Sequence, residues 1–409
     1  MKEWRKVKLG DIAVISYGYT AKASVENVGL KFLRITDIQN DLVNWSSVPY
    51  CQITEDDFKK YKLIDQDIVF ARTGATTGKS YLVCDPPESV AASYLIRLRI
   101  KDSTVSAKFI SKYFQTSEYW DSVSSGISGS AQGGFNASKL SVLVVNIPAL
   151  PEQKRIVAIL DEAFEAIDRA IANTEKNLAN SREVFESYLN AIFTQKGDGW
   201  IEKKLEDICK EITVGHVGSM ASKYKDSGIP FLRSQNILPF RIKLDNVVFI
   251  DDKFHSELKK SQLRPGDVAI VRTGYPGTAA VIPEELEIVN CSDLVIVKSG
   301  EHINPHYLCL FFNSVFGKTL VGSRLVGAAQ KHFNITTAKK VLIPFPCLTK
   351  QNYLVTKMDE LAAETQRLET IYRQKIAALK ELKQSILQKA FTGELTSNTP
   401  KTVKEEIAA

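Results

Sequence analysis

The run PEQKRIVAILDEAFEAIDRAIANTEKNLANSREVFESYLNAIFTQK, Pro151 to Lys196, decides the fold. Apolar or small residues return every three or four positions, at Ile156, Leu160, Ala163, Ile167, Ala170, Leu178, Phe185, Tyr188 and Ile192, as on one face of a long helix. A twin follows at Gln351 to Thr392, with Leu354, Met358, Leu361, Leu368, Tyr372, Leu379, Leu382, Ile386 and Ala390 on the seam and Glu, Lys, Gln and Arg elsewhere. At 1.5 Å per residue each rod is roughly 60–70 Å long, too long to sit inside a compact domain. Two seams in one chain are expected to meet, giving an intramolecular coiled coil that acts as a spacer. The alternative, two amphipathic helices each packed on its own domain, is disfavoured by lengths far above the usual helix of about 11–12 residues.

Outward from the rods, the chain repeats itself. Trp4-Arg-Lys-Val-Lys-Leu-Gly-Asp-Ile-Ala returns as Trp200-Ile-Glu-Lys-Lys-Leu-Glu-Asp-Ile-Cys, and Phe32-Leu33-Arg34 as Phe231-Leu232-Arg233. Asp67-Ile-Val-Phe-Ala-Arg72-Thr-Gly74 returns as Asp267-Val-Ala-Ile-Val-Arg272-Thr-Gly274, and Ala131-Gln132-Gly-Gly-Phe135-Asn136 as Ala329-Gln330-Lys-His-Phe333-Asn334. Pairs in constant order imply duplication of the whole unit. Within each half, Asp67 to Arg72, Leu95 to Ile100 and Leu140 to Ile147 read as strands, and Ala107 to Phe114 with its counterpart Pro305 to Asn313 as helices. The fold class is therefore α+β, with two mixed α/β globules at 1–150 and 198–348, rods at 151–197 and 349–396, and a tail at 397–409 expected to be disordered.

Composition narrows the function. A chain of 409 residues with 44% hydrophobic content holds two or three domains, and 53 basic against 47 acidic residues give a mild positive balance compatible with a polyanionic partner. The six cysteines form no CxxC pair, so neither a zinc knuckle nor a disulfide framework is expected. The charged opening and the lack of a long apolar run lead us to expect a soluble cytoplasmic protein with no membrane partner.

Catalytic signatures are approached but not completed. Gly74-Ala-Thr-Thr-Gly78-Lys79-Ser80 has three residues between its glycines where a phosphate loop needs four, and its repeat, Gly274-Tyr-Pro-Gly277-Thr278, lacks the lysine. Asp85-Pro86-Pro87-Glu88 lacks the aromatic that stacks on a flipped base in amino-methyltransferases. His302 and His306 have no third metal ligand in view, and no Ser-His-Asp pattern is present. No catalytic residue and no metal site is expected.

What recurs is cationic or amide-bearing: Arg34 and Arg233, Arg72 and Arg272, Gln132 and Gln330, Lys139 and Lys339. Arg pairs bidentately with guanine, Gln with adenine, and Lys or a glycine-turn amide meets phosphate. DNA-binding candidates are these, together with Thr73, Gly74 and Lys79, Thr273 and Gly274, Lys331 and His332, and Tyr17, Tyr19, Lys22, His216 and Lys223. A repeated arginine also commonly ties a fold together, a role that weighs most for Arg34 and Arg233. A two-lobed protein-binding scaffold without DNA readout is the alternative function.

These features together resemble the specificity subunit of type I restriction-modification systems. The resemblance rests on the Trp-x-x-x-x-Leu-x-Asp-Ile openings, the Asp67 to Gly74 loop, the proline-and-glutamine entry to the first rod between Pro148 and Ile156, and Gln388-Lys-Ala-Phe-Thr-Gly-Glu-Leu395. The first rod departs from the pattern, ending in Phe193-Thr-Gln-Lys-Gly. The resemblance implies a non-catalytic subunit with two target-recognition domains. Each would read half of a bipartite double-stranded DNA site, and an antiparallel coil between them would dock two methyltransferase subunits. It also implies no cofactor in this chain. S-adenosylmethionine, ATP and magnesium would belong to partner subunits, including a motor-nuclease subunit reached through the complex.

Overall fold

Ile68–Ala71 and Val268–Val271 carry only apolar side chains and are buried at every position, as central strands covered on both faces must be. The computed structural model describes residues 4–39, 42–128, 134–195, 197, 199–220, 222–323 and 332–397. In it each of these runs is an inner strand of a four-stranded antiparallel sheet. The first sheet is ordered Ala13–Tyr17, Leu95–Ile100, Ile68–Ala71, Ser80–Leu82. The second is ordered Cys209–Val214, Leu294–Ser299, Val268–Val271, Ala279–Val281. Registers match across the repeat: Leu98 faces Ile68 as Val297 faces Val268.

A smaller mixed sheet follows the same plan. Leu30–Leu33 lies between Tyr50–Cys51 and Ser89–Ala91, antiparallel to the former and parallel to the latter. Its counterpart, Ile229–Leu232, lies between Val248–Ile250 and Val289–Cys291, and Gln262–Leu263 adds a fourth strand. A two-stranded ribbon, Arg5–Lys8 with Val144–Ile147 or Ile201–Lys204 with Leu342–Phe345, leads into each long helix. Helices Ala107–Tyr113 and Pro305–Asn313 lie where the sequence places them. The expected strand from Leu140 to Ile147 is shorter. Asn136 caps a helical turn, Ala137–Ser141, that takes Leu140 into the core, and only Val144–Ile147 is extended.

The long helices are Leu150–Thr194 and Leu348–Phe391, 45 and 44 residues. The chain divides into two compact units, one ending its first segment at Thr174 and resuming at Gln374, the other spanning Glu175–Arg373, so each unit takes part of each helix. Within the first unit, Ile156, Leu160 and Phe164 share a core with Leu387 and Ala390, and Lys383 pairs with Asp168 at 2.8 Å. Within the second, Leu189, Ile192 and Phe193 share a core with Leu354 and Met358, and Arg182 pairs with Glu369 at 2.7 Å. The helices run antiparallel. Ile167 is buried, and Leu178, Phe185, Leu361, Leu368, Leu379 and Ile386 are half-buried on the seam.

Two expected seam positions are displaced. Leu382 is 47% exposed, because its neighbour Lys383 takes the inward position, laying its ammonium 4.7 Å from the Phe164 ring centre. Tyr188 is exposed and Leu189 is buried in its place. In both cases an alternative one residue on falls nearer the centre of the stripe, a shift that 3.6-residue periodicity alone resolves poorly.

The helix ends explain the motifs that frame them. Gln153 is fully buried, accepting from the Ser106 amide at 2.8 Å and donating to the carbonyls of Thr104 and Pro148. Gln351 repeats the arrangement with the Asn304 amide and the carbonyls of His302 and Pro346. At the far end of the second helix Gly393 adopts φ +82°, a left-handed cap, and the Trp4 ring packs against it.

Candidate nucleic-acid interface

Each Arg-Thr-Gly turn leaves the buried strand through a glycine with left-handed backbone, φ +81° at Gly74 and +89° at Gly274, which a side chain would strain. The turn is then pinned by the loop that follows the helical region. The Phe135 amide donates to the Arg72 carbonyl at 3.0 Å and the Phe333 amide to the Arg272 carbonyl at 3.1 Å. Both Phe rings are buried in the core, so the arginine stems stand on a fixed backbone. A second segment crosses beside each turn at Gly18 and Gly215. A Cβ at Gly18 would lie 2.2 Å from the Ala92 carbonyl oxygen, and one at Gly215 would lie 2.8 Å from Cys291 Sγ, so only glycine permits the crossing. The crossing brings Tyr19 beside Ala92 and His216 beside Ser292, in matched parallel bridges.

In the first domain the Arg72 guanidinium stacks on Tyr17, 5.0 Å from the ring centre. Thr73 bridges to Gly134, whose carbonyl accepts from Lys139 Nζ at 3.2 Å, and the Tyr17 hydroxyl accepts from the Ala137 amide. Tyr94, 62% exposed, stands beside them, its carbonyl accepting from the Arg72 amide. Among the described residues no carboxylate pairs with Arg72. Lys22 and Lys79 are exposed. Tyr19 packs on Tyr61 at 5.3 Å between ring centres.

The second domain arranges the same parts differently. Arg272 Nη1 lies 3.0 Å from Asp293 Oδ1, and Thr273 Oγ1 donates to Asp293 Oδ2 at 2.9 Å. The same hydroxyl lies 2.9 Å from His332 Nδ1. Asp293 also borders a cleft of about 450 Å³ with His216, Ser219 and Tyr224, and Arg233 stacks on Tyr224 at 5.7 Å. Three expected residues, His216, Arg272 and Thr273, thus meet at Asp293, which the sequence reading missed, and His332 reaches it only through Thr273. Lys223 is exposed, with its ammonium 5.0 Å from the Phe254 ring centre.

Arg34 is drawn into the fold: Asp37 receives its Nη2 at 2.7 Å and its Nε at 3.1 Å, which raises the guanidinium pKa further. Asn236 stands where Asp37 does, so Arg233 donates instead to the Asn246 carbonyl at 2.9 Å. The pairing of Lys139 with Lys339 is corrected. The caps Asn136 and Asn334 receive the amides of Lys139 and Thr337, so Lys139 matches Thr337 and Lys339 lies two residues later. A repeat offset two residues shorter here than in the strands misleads a fixed spacing. Gln132, Gln330 and Lys331 lie outside the described residues.

Burial pushes the thiols of Cys51 up to about 11 and Cys309 up to about 12, far from a reactive thiolate. Among the described residues no cluster of His, Cys, Asp or Glu is placed to hold a metal, and no helix is long and apolar enough to cross a membrane.

Comparison with known proteins agrees with this arrangement. The type I restriction modification DNA specificity domain matches residues 1–179 and again 197–380. The chain is 22% identical over 427 residues to the specificity subunit of the type I restriction enzyme EcoBI of Escherichia coli, covering 96% of this chain and 86% of that one. It is 25% identical over 394 residues to the EcoKI specificity subunit of Escherichia coli strain K12, covering 90% and 83%. Among solved structures it is similar to a chain from work on complex assembly and conformational transition of a type I R-M system, with a TM-score of 0.76, 18% identity and coverage of 97% and 99%. It is also similar to the HsdS subunit from Thermoanaerobacter tengcongensis, with a TM-score of 0.64, 18% identity and coverage of 97% and 98%.

Proposed function

The chain belongs to the type I restriction modification DNA specificity family, and from that premise we propose that its two domains each read one half of a bipartite double-stranded DNA site. It is the specificity subunit of such a system. The observation that carries the proposal is the doubling itself: two family matches, each with an Arg-Thr-Gly turn pinned beside a glycine crossing. Arg72 with Tyr17, and the Arg272 group with His216, supply hydrogen-bonding groups for base edges, while exposed Lys22, Lys79 and Lys223 suit phosphate.

The helix pair would dock two methyltransferase subunits, and a motor-nuclease subunit would join through that complex. In this reading methyl transfer from S-adenosylmethionine and cleavage driven by ATP and magnesium are the work of those partners, in the cytoplasm, and this chain contributes address rather than chemistry. The test is duplex binding by the chain with its modification subunits across a salt series. Sequence-specific affinity that falls as salt rises is expected. Binding of the partners without any preference among duplexes would leave a protein scaffold as the function.

A further inference from the structure

The two domains present opposite hydrogen-bonding characters at matched positions. Gly18 and Gly215 donate to the carbonyls of Leu95 and Leu294, and Tyr19 and His216 bridge to Ala92 and Ser292, which fixes the correspondence on both sides. Between these anchors the first domain has Ser93-Tyr94 and the second has Asp293 alone. The single residue closes the shorter connection with φ +52°, and its side chain points back over the turn to Arg272. In that ion pair the arginine side chain is 16% exposed and the aspartate 45%. The first domain therefore offers a guanidinium on an aromatic face, and the second a carboxylate held from behind by Arg272 and Thr273.

Resting on the DNA-reading function above, we infer that Asp293 is a specificity residue of the second domain. It accepts a hydrogen bond from an exocyclic amino group in the major groove, cytosine N4 or adenine N6, and Arg272 acts as its positioning residue. Three features carry this. A carboxylate repels phosphate, so a half-exposed one in a DNA-binding surface belongs over base edges, where cytosine and adenine are the bases that offer an amino donor. Thr273 and Arg272 each occupy one carboxylate oxygen, at 2.9 and 3.0 Å, which fixes the orientation of both and leaves lone pairs facing outward. Asp293 also borders the 450 Å³ cleft, so a base edge can approach it together with His216. Arg72, with no carboxylate against it among the described residues, keeps the donor pattern that suits guanine O6 and N7.

The variant is Asp293→Asn. Asparagine tolerates left-handed backbone, so the turn is retained, but the amide no longer neutralises Arg272. The complete complex is titrated with duplexes carrying its methylation-mapped site and every single base-pair change in both halves, at several salt concentrations. Discrimination should fall roughly ten-fold or more at one C·G or A·T position of the second half, with the first half unchanged. The salt dependence should steepen by about one unit as Arg272 becomes free to reach a phosphate. The identity of the relaxed position tells cytosine from adenine. Unchanged discrimination in the second half, or an equal loss in both halves, overturns the assignment. A wild-type complex with no base preference at all would overturn the DNA-reading function instead.

Discussion

Replacing Gln153 by leucine removes three hydrogen bonds and almost no volume, at the point where the first long helix joins its domain. The glutamine is fully buried, and its partners are the Ser106 amide at 2.8 Å, the Thr104 carbonyl at 2.9 Å and the Pro148 carbonyl at 2.8 Å. A buried polar group left unmatched costs about 1–3 kcal/mol. Thr104 lies at the surface, where water replaces the lost donor, whereas Pro148 is buried and Ser106 half-buried. Two unmet groups and one rehydrated one give a destabilisation of about 2–6 kcal/mol. Urea unfolding of the full chain, followed by hydrogen exchange at the Ser106 amide, reads both consequences. The first unit should unfold at lower urea and the Ser106 amide should lose protection, while amides of the second unit keep theirs. Gln351→Leu should produce the mirror result, with exposure at Asn304. A loss below about 1 kcal/mol, or protection lost equally in both units, would refute the reasoning.

Arg72→Ala should relax recognition of one half-site and Arg272→Ala of the other, each by about 1–3 kcal/mol, measured by competition between duplexes altered in one half at a time; loss in both halves from either change would contradict separate readers. Met358→Asp places a charge at a position 1% exposed and should destabilise the second unit by more than about 3 kcal/mol, whereas Leu382→Asp, at a position 47% exposed, should change the unfolding free energy read from urea titration by no more than about 0.5 kcal/mol. Equal effects would show that the seam is misassigned. Burial raises the Asp267 carboxyl above its usual range, and no ion pair among the described residues offsets it, because Lys298, which stands where Arg99 pairs with Asp67 in the first domain, is paired with Glu211 at 2.8 Å. A raised folded pKa contributes stability that is fully present at low pH and is lost as pH climbs through the folded value, from about 4 upward. Asp267→Asn should remove that decline from the urea midpoint measured against pH, and identical slopes in both proteins would argue against it.

The repeat and the rods were legible because they rest on periodicity. Apolar spacing names the helix faces, and Asp67 to Gly74 against Asp267 to Gly274 reads as the same strand and turn twice. Seam positions one residue apart, such as Leu382 and Lys383, were not resolved, since the choice depends on the Phe164 ring and Asp168 carboxylate that the lysine finds across the coil. The arginine turns were found by repetition, but their chemistry was not. Asp293 sits where the halves differ in length, so a search for sameness passes over it, and the Asp37 to Asn236 exchange that separates Arg34 from Arg233 is a single residue in a matching run. Gln153 was visible as part of the motif that opens the first rod, but its burial, and the matching role of Gln351, depend on loops 47 to 49 residues away.

Methylation mapping of a host genome, with the chain expressed beside its modification subunits, tests the two-reader account most directly. Wild type should mark a motif of two short half-sequences separated by an unspecified gap, and exchanging residues 198–348 for those of a related subunit should replace one half-sequence while leaving the other intact. A continuous motif, or an exchange that rewrites both halves, would contradict it.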